Sequence, residues 1–213
     1  MDENYDTSFS KMALVMTAAQ LAKTTAVQEN GVGEDLTMNF FGWIDGRMAI
    51  VCQMKKELMS LSPDKRLHVA AELCSVLRRY WGVDSISMVA EGYCSPDQNK
   101  TKDIELSTAF LNSKSKVKEC ITISHAETES DGRAPSHIVM VAIPYTYGLG
   151  RVVDWADTLV YPEGPNTQLR NGLYPRMLQS VLAENIVKDM PVESYDELRV
   201  LIKANGFFIQ EFM

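Results

Sequence analysis

The chain has 213 residues, of which 46% are hydrophobic, 23% charged and 8% aromatic, a globular balance that excludes a disordered chain, a collagen-like repeat and a coiled-coil rod. Lys and Arg total 21 against 28 Asp and Glu, for a net charge of −7; with no basic patch in the sequence, such a chain repels polyphosphate, and nucleic acid is not an expected partner. No window approaches 18 uninterrupted apolar residues, so the sequence offers no membrane-spanning helix and no membrane partner is expected.

The first residues, Met1-Asp2-Glu3-Asn4-Tyr5-Asp6, are acidic, whereas a secretory signal opens on a basic segment followed by an apolar one. Four cysteines, Cys52, Cys74, Cys94 and Cys120, are widely spaced without a CxxC pair, which argues against a zinc ribbon or knuckle. Cys52, Cys74 and Cys120 lie in apolar surroundings, where a reduced thiol behaves as a small hydrophobe. The expected setting is therefore reducing and cytoplasmic, not secreted.

Ser8 or Ser10 can cap a first helix that runs to about residue 30, where Gly31 and Gly33 end it. Its apolar positions (Met12, Val15, Met16, Ala19, Ala22 and Ala26) follow helical spacing, and their small size allows close packing against another element. Residues 36–44 and 47–54 then flank Asp45-Gly46, a pair suited to the positive φ angles of a two-residue hairpin turn. Ser62-Pro63-Asp64 opens a second helix, with Ser62 at the cap and Pro63 in the first turn. Leu67, Ala70, Cys74, Leu77 and Trp81 share one face of it, Leu73, Val76 and Tyr80 widen that face, and Gly82 stops it.

Three strands follow, at 85–93, 117–127 and 137–144. The third contains Ile138-Val139-Met140-Val141-Ala142-Ile143, an apolar run suited to a central strand covered on both faces. Helix, hairpin, helix and three-stranded meander together predict an α+β fold: an antiparallel sheet packed by helices, with a helical C-terminal extension. The α+β core domain with its N-terminal helix is expected over residues 1–154. The remainder, 155–213, reads as an arm plus two helices packed on that core or on a second subunit.

Two connections are long. Residues 95–116 are polar but carry Ile104, Leu106, Phe110 and Leu111, enough for a short helix, and residues 155–174 carry Pro162, Gly164, Pro165 and Gly172 and read as an extended arm. Connections of this length are uncommon in compact domains and serve as binding segments or covers, when they are not plain solvated insertions. Pro175 opens a helix with the stripe Leu178, Val181, Leu182, Ile186 and Met190, ended by Pro191. Ser194-Tyr195-Asp196-Glu197 fits a capping box for a last helix to about residue 205, with Gly206 as its stop. Phe207, Phe208, Ile209, Phe212 and Met213 leave an apolar tail that needs cover, from its own core or from another subunit.

Candidate chemistry concentrates on the strand at 117–127, whose alternation places Glu119, Ile121, Ile123, His125 and Glu127 on one face. Glu91 holds a comparable position on the preceding strand, sharing a face with Val89 and Tyr93. Carboxylates closing on an imidazole suit acid–base chemistry or a divalent ion, so Glu91, Glu119, His125 and Glu127 are the candidate catalytic residues. In the alternative, these groups only end a strand and reach water or pair with Lys116 or Arg133.

Other patterns fall short. His125-Ala126-Glu127 matches the H-x-E element of zinc-dependent deaminases, but all four cysteines precede His125, so the downstream P-C-x-x-C ligands are missing. Gly148-Leu149-Gly150 follows a strand, yet Val153 stands where a third dinucleotide-loop glycine belongs and the chain continues as strand. No G-x-S-x-G or P-loop occurs. His68 and Glu72 read as an ordinary helix pair, and the 12 methionines scatter as core fillers. No cofactor and no metal is expected.

The segment Ser87-Met88-Val89-Ala90-Glu91-Gly92-Tyr93, a polar insert, and then Lys118-Glu119-Cys120-Ile121-Thr122-Ile123 resemble small uncharacterised α+β proteins encoded by tailed bacteriophages. In those proteins too, a helix leads to a strand ending in an acidic residue plus an aromatic, and a polar insertion precedes a second strand beginning with Glu. The resemblance spans residues 63–145 and implies a viral origin, with no activity, cofactor or catalytic residue attached. The resulting expectation is a non-catalytic interaction or accessory protein of phage type. It would self-associate as a homo-oligomer and meet a host or viral protein partner in the host cytoplasm. Two alternatives stay open: a small hydrolase or metal-dependent enzyme built on the acidic/His cluster, and a virion structural component.

Overall fold

Asp45 and Gly46 adopt φ angles of 50° and 72° in the computed structural model, the paired left-handed values that a type I′ hairpin turn requires. They join strand β1 (Asn39–Ile44) to β2 (Arg47–Met54). The structure describes residues 7–28, 38–94, 118–127, 139–148, 151–161 and 195–212. Ahead of the hairpin lies helix α1 (Thr7–Gln28); after it come α2 (Lys56–Met59) and α3 (Pro63–Trp81). Then follow β3 (Ser85–Cys94), β4 (Lys118–Glu127), β5 (Val139–Gly148), β6 (Arg151–Trp155), β7 (Leu159–Tyr161), α4 (Tyr195–Ala204) and β8 (Phe207–Glu211).

The strands form one antiparallel sheet in the order β6-β5-β4-β3-β1-β2-β8, with β7 also on β5. The fold is mixed α+β. Strand alternation sends side chains to two faces, and each face has its own core. On one, Phe40, Ile50, Cys52, Ile86 and Met88 meet Leu77 and Trp81 of α3 and Ile202 of α4. On the other, Phe41, Trp43, Val89, Ile121, Ile123, Val141 and Ile143 meet Val15, Ala18, Ala19 and Ala22 of α1. Each large side chain so buried contributes about 1.5–3 kcal/mol.

Local chemistry explains most element ends. Ser62 stands at the N-cap of α3 with extended backbone and Pro63 follows at the first position, although the Ser62 hydroxyl makes no capping bond. Gly82 (φ 64°) and Gly206 (φ 92°) end α3 and α4 in the left-handed region. In α1 the buried face differs from the expected stripe. Steps of three and four from Val15 lead to Ala18, Ala19 and Ala22, whereas Met16 lies about 100° around the helix and is 42% exposed.

β5 continues beyond the expected end at Pro144, whose carbonyl still accepts the Ala156 N–H at 2.9 Å. The first part of the expected arm is sheet: Trp155 ends β6, and β7 pairs with β5. A boundary after residue 154 therefore falls inside β6. The apolar tail is also sheet. It pairs along β2 as β8, and Phe207 is buried edge-on against Phe40, ring centroids 6.5 Å apart. The core covers Phe207 and part of Ile209, while Phe208 and Phe212 stay exposed. The 95–116 connection, the rest of the arm and the helix expected at 175–190 lie outside the described residues.

Candidate functional site

Strand register decides whether the four candidate residues meet. In the β3–β4 ladder Tyr93 opposes Glu119, Glu91 opposes Ile121, Ser87 opposes His125 and Ser85 opposes Glu127. All four candidates share the α1 face, but they fall into two groups at opposite ends of it. Four residues of strand separate Glu91 from Ser87, about 13 Å at the usual rise. The four candidates therefore form two separate groups, because one face of a strand fixes orientation but not proximity.

At one end sits the carboxylate pair. Glu91 is half-buried and its Oε1 accepts the Tyr145 hydroxyl at 3.0 Å. Burial pushes the Glu91 carboxyl above its ordinary value; the Tyr145 hydrogen bond opposes this, and the nearby Glu119 carboxylate adds to it. The Tyr145 hydroxyl is in turn driven up, first by burial and then by the Glu91 charge. Tyr145 packs edge-on against Trp155 at 5.7 Å, and Lys23 of α1 places its ammonium 5.2 Å from the Trp155 ring centre. Glu119 itself is exposed.

At the other end a buried polar chain crosses three strands. Trp43 Nε1–H donates to Ser87 Oγ at 2.9 Å, and Ser87 Oγ lies 2.8 Å from His125 Nδ1. The arrangement that satisfies most atoms has the Ser87 O–H donating to Nδ1, which leaves the proton on Nε2. His125 is 1% exposed, and its Nε2 has no hydrogen-bond partner; Glu127 Oε1 stands 3.8 Å away. A serine hydroxyl held between an indole and an imidazole, with 0% exposure, anchors strands and offers no surface to a substrate.

Glu127 opens onto a surface cleft of about 520 Å³, lined also by Ala13, Leu14, Asp45, Gly46, Asp84 and Ser85. There Asp84 Oδ2 accepts the Asp45 N–H at 2.7 Å and ties the hairpin turn to the end of the α3–β3 link. Among the described residues no group of three or more His, Cys, Asp or Glu is gathered to hold a metal ion. His68 and Glu72 form an exposed helix pair at 3.2 Å.

No sequence pattern singles out Trp43, Ser87 and Tyr145. Of the three, Ser87 carries the clearest signal: its hydroxyl sits on the same strand face as apolar Val89, one step further into the sheet than Ser85. Among the described residues no helix is long and apolar enough to cross a membrane. No protein-family model, no curated protein and no solved structure matches this chain.

Proposed function

We propose that the chain is a non-catalytic interaction protein that pairs with a second copy of itself through β8. In this reading the hairpin, helix and three-stranded meander are the scaffold, and the C-terminal extension carries the contact. The supporting observation is the hydrogen-bonding parity of β8. Lys55 N–H donates to Gly206 C=O at 2.8 Å and Phe212 N–H to Ala49 C=O at 3.0 Å, so even-numbered residues of β8 bond to β2. The N–H and C=O groups of Phe207, Ile209 and Glu211 therefore face away from it.

Those three positions are self-complementary. A two-fold axis at Ile209 sets Ile209 against its own copy and Phe207 against Glu211, giving about six backbone hydrogen bonds. β8 is the outermost strand on this side among the described residues. Phe208 and Phe212, 58% and 46% exposed, would line one face of the joined sheet. The resemblance to tailed-phage proteins fits an accessory or host-directed role in an infected cell.

Light scattering after size exclusion tests this on full-length protein. The wild type is expected to elute as a dimer. Ile209→Pro, which removes an N–H that β2 does not use, and Phe208→Glu, which charges the exposed face, are each expected to give monomers with unchanged circular dichroism. A monomeric wild type, or folded variants that remain dimeric, would refute the reading.

A further inference from the structure

We propose that Cys94 and Cys120 form a peroxide-sensitive dithiol that closes to a reversible disulfide across the β3–β4 pair. The register sets Gly92 opposite Cys120 and Cys94 opposite Lys118, so the cysteines are diagonal neighbours on one face of adjacent strands. Both are reduced and buried, with 4% and 0% exposure. Together with Ala142 and partly buried Leu159 they form a small cluster separate from the two main cores.

The two thiols are not equivalent. The hydrogen bond from Cys120 draws the Cys94 thiol below its ordinary value; burial opposes this, and the Lys118 ammonium supports it. Cys120 is pushed up, first by its bond to Cys94 and then by burial. Cys94 is thus the attacking sulfur and Cys120 the resolving one. Cys52 serves as an internal control, since burial and the Glu211 charge push its thiol up and, among the described residues, no second cysteine shares its cluster.

The Cys94 thiolate attacks one oxygen of hydrogen peroxide; an S–O bond forms, the O–O bond breaks, and hydroxide leaves to take up the proton Cys94 has lost. The Cys120 sulfur then attacks the sulfenic sulfur of Cys94. The S–O bond breaks, and the hydroxyl leaves with the Cys120 proton as water. Two thiols and one peroxide give one disulfide and two waters.

Diagonal Cα atoms stand about 7–8 Å apart, whereas disulfides span about 4.4–6.8 Å, so closure must draw the strands together. Cys94 is the last residue of β3 and Lys118 the first of β4, so among the described residues the pair lies at the end of the ladder, where such a shift meets least resistance. A bond closed under tension is readily reduced again.

The test exposes full-length protein to equimolar hydrogen peroxide, blocks remaining thiols with N-ethylmaleimide, and maps unreduced peptides by mass spectrometry. The expected product is a Cys94–Cys120 linked peptide, two hydrogens lighter than its parts and released by dithiothreitol. Cys52→Ser should leave it unchanged. Cys120→Ser should stop at a Cys94 sulfenic acid trapped by dimedone, and Cys94→Ser should slow Cys120 oxidation at least about tenfold. The proposal is overturned if peroxide leaves both thiols alkylable, if wild-type Cys94 accumulates as the dimedone adduct, or if the link joins two chains.

Discussion

Replacing Ser87 with alanine is expected to cost more stability than one lost hydroxyl suggests. Its Oγ serves Trp43 Nε1 at 2.9 Å and His125 Nδ1 at 2.8 Å, in a layer that α1 covers. Alanine leaves both nitrogens buried without a partner. Each stranded group costs about 1–3 kcal/mol, so the expected loss is about 2–6 kcal/mol. At about 2–4 °C per kcal/mol for a chain of this size, Tm should fall by on the order of 10 °C.

His125→Leu is the informative comparison. The imidazole already has one nitrogen without a partner; its removal strands the Ser87 O–H but leaves the Trp43–Ser87 bond in place, so the expected loss is about 1–2 kcal/mol. Urea unfolding followed by tryptophan fluorescence measures both, with Trp43 reporting from inside the network. If Ser87→Ala costs no more than His125→Leu, the hydroxyl is not the hub of the chain and the reasoning fails.

Glu211 accepts Arg199 Nε–H at 3.1 Å and Arg199 Nη2–H, and also Trp81 Nε1–H at 3.0 Å; the Arg199 contact holds its carboxyl below the ordinary value of 4.5. A depressed carboxylate stabilises above its unfolded value and loses that contribution as pH falls through the folded one. Hydrogen-exchange protection at 207–211, corrected for the intrinsic rate, should therefore fall selectively below pH 4.5, and Glu211→Gln should abolish that pH dependence. A profile unchanged by the substitution would show that the pair does not hold β8. Glu91 has the opposite sign: its raised value favours the protonated form in the folded state, so its contribution grows as pH falls through the folded value toward the unfolded one. Glu91→Gln is expected to stabilise slightly at pH 7 and to flatten that slope in thermal melts; destabilisation would contradict the burial argument. Gly206 has φ 92°, and a Cβ there would lie 2.8 Å from Leu58 Cδ1, whereas Gly82 has φ 64° and open space. Gly82→Ala should cost about 1 kcal/mol of backbone strain and Gly206→Ala clearly more; equal losses in urea would remove the steric component.

Local signals carried the parts of the fold that depend on neighbouring residues. Asp45-Gly46 encodes its turn, and Ser62-Pro63 and Gly82 bracket α3 within a residue. Features that depend on a distant partner were not legible. Phe207-Phe208 breaks strand alternation, so β8 is recognisable only beside β2, whose unpaired edge it fills. Pro144 signals a strand end because it lacks an N–H, yet β5 runs through it. The site failed on the same ground. Strand alternation places Glu119, His125 and Glu127 on one face, but a connection of more than 20 residues leaves the β3–β4 register free. That register separates Glu91 from His125 and makes Ser87, which looked like an ordinary strand residue, the centre of the buried network.

Among the described residues the two outer edges of the sheet differ in a way that bears on the proposed pairing. On one side β5 is flanked by β6 and β7, five and three residues long, with a register shift between Thr146 and Tyr147. Short, bulged edges resist strand addition. β8 is as short as β6 but lacks the bulge: its five residues contain no Lys or Pro, run in unbroken register with β2, and carry one charge, which Arg199 engages. Pairing β8 with β8 uses the same edge in both partners and so closes at two chains. Pairing β8 with β6 would leave an open edge at each end and grow a filament. The asymmetry argues for the closed dimer, and the molar mass separates the two outcomes: a species heavier than a dimer that grows with concentration would place the contact on the β6–β7 edge instead.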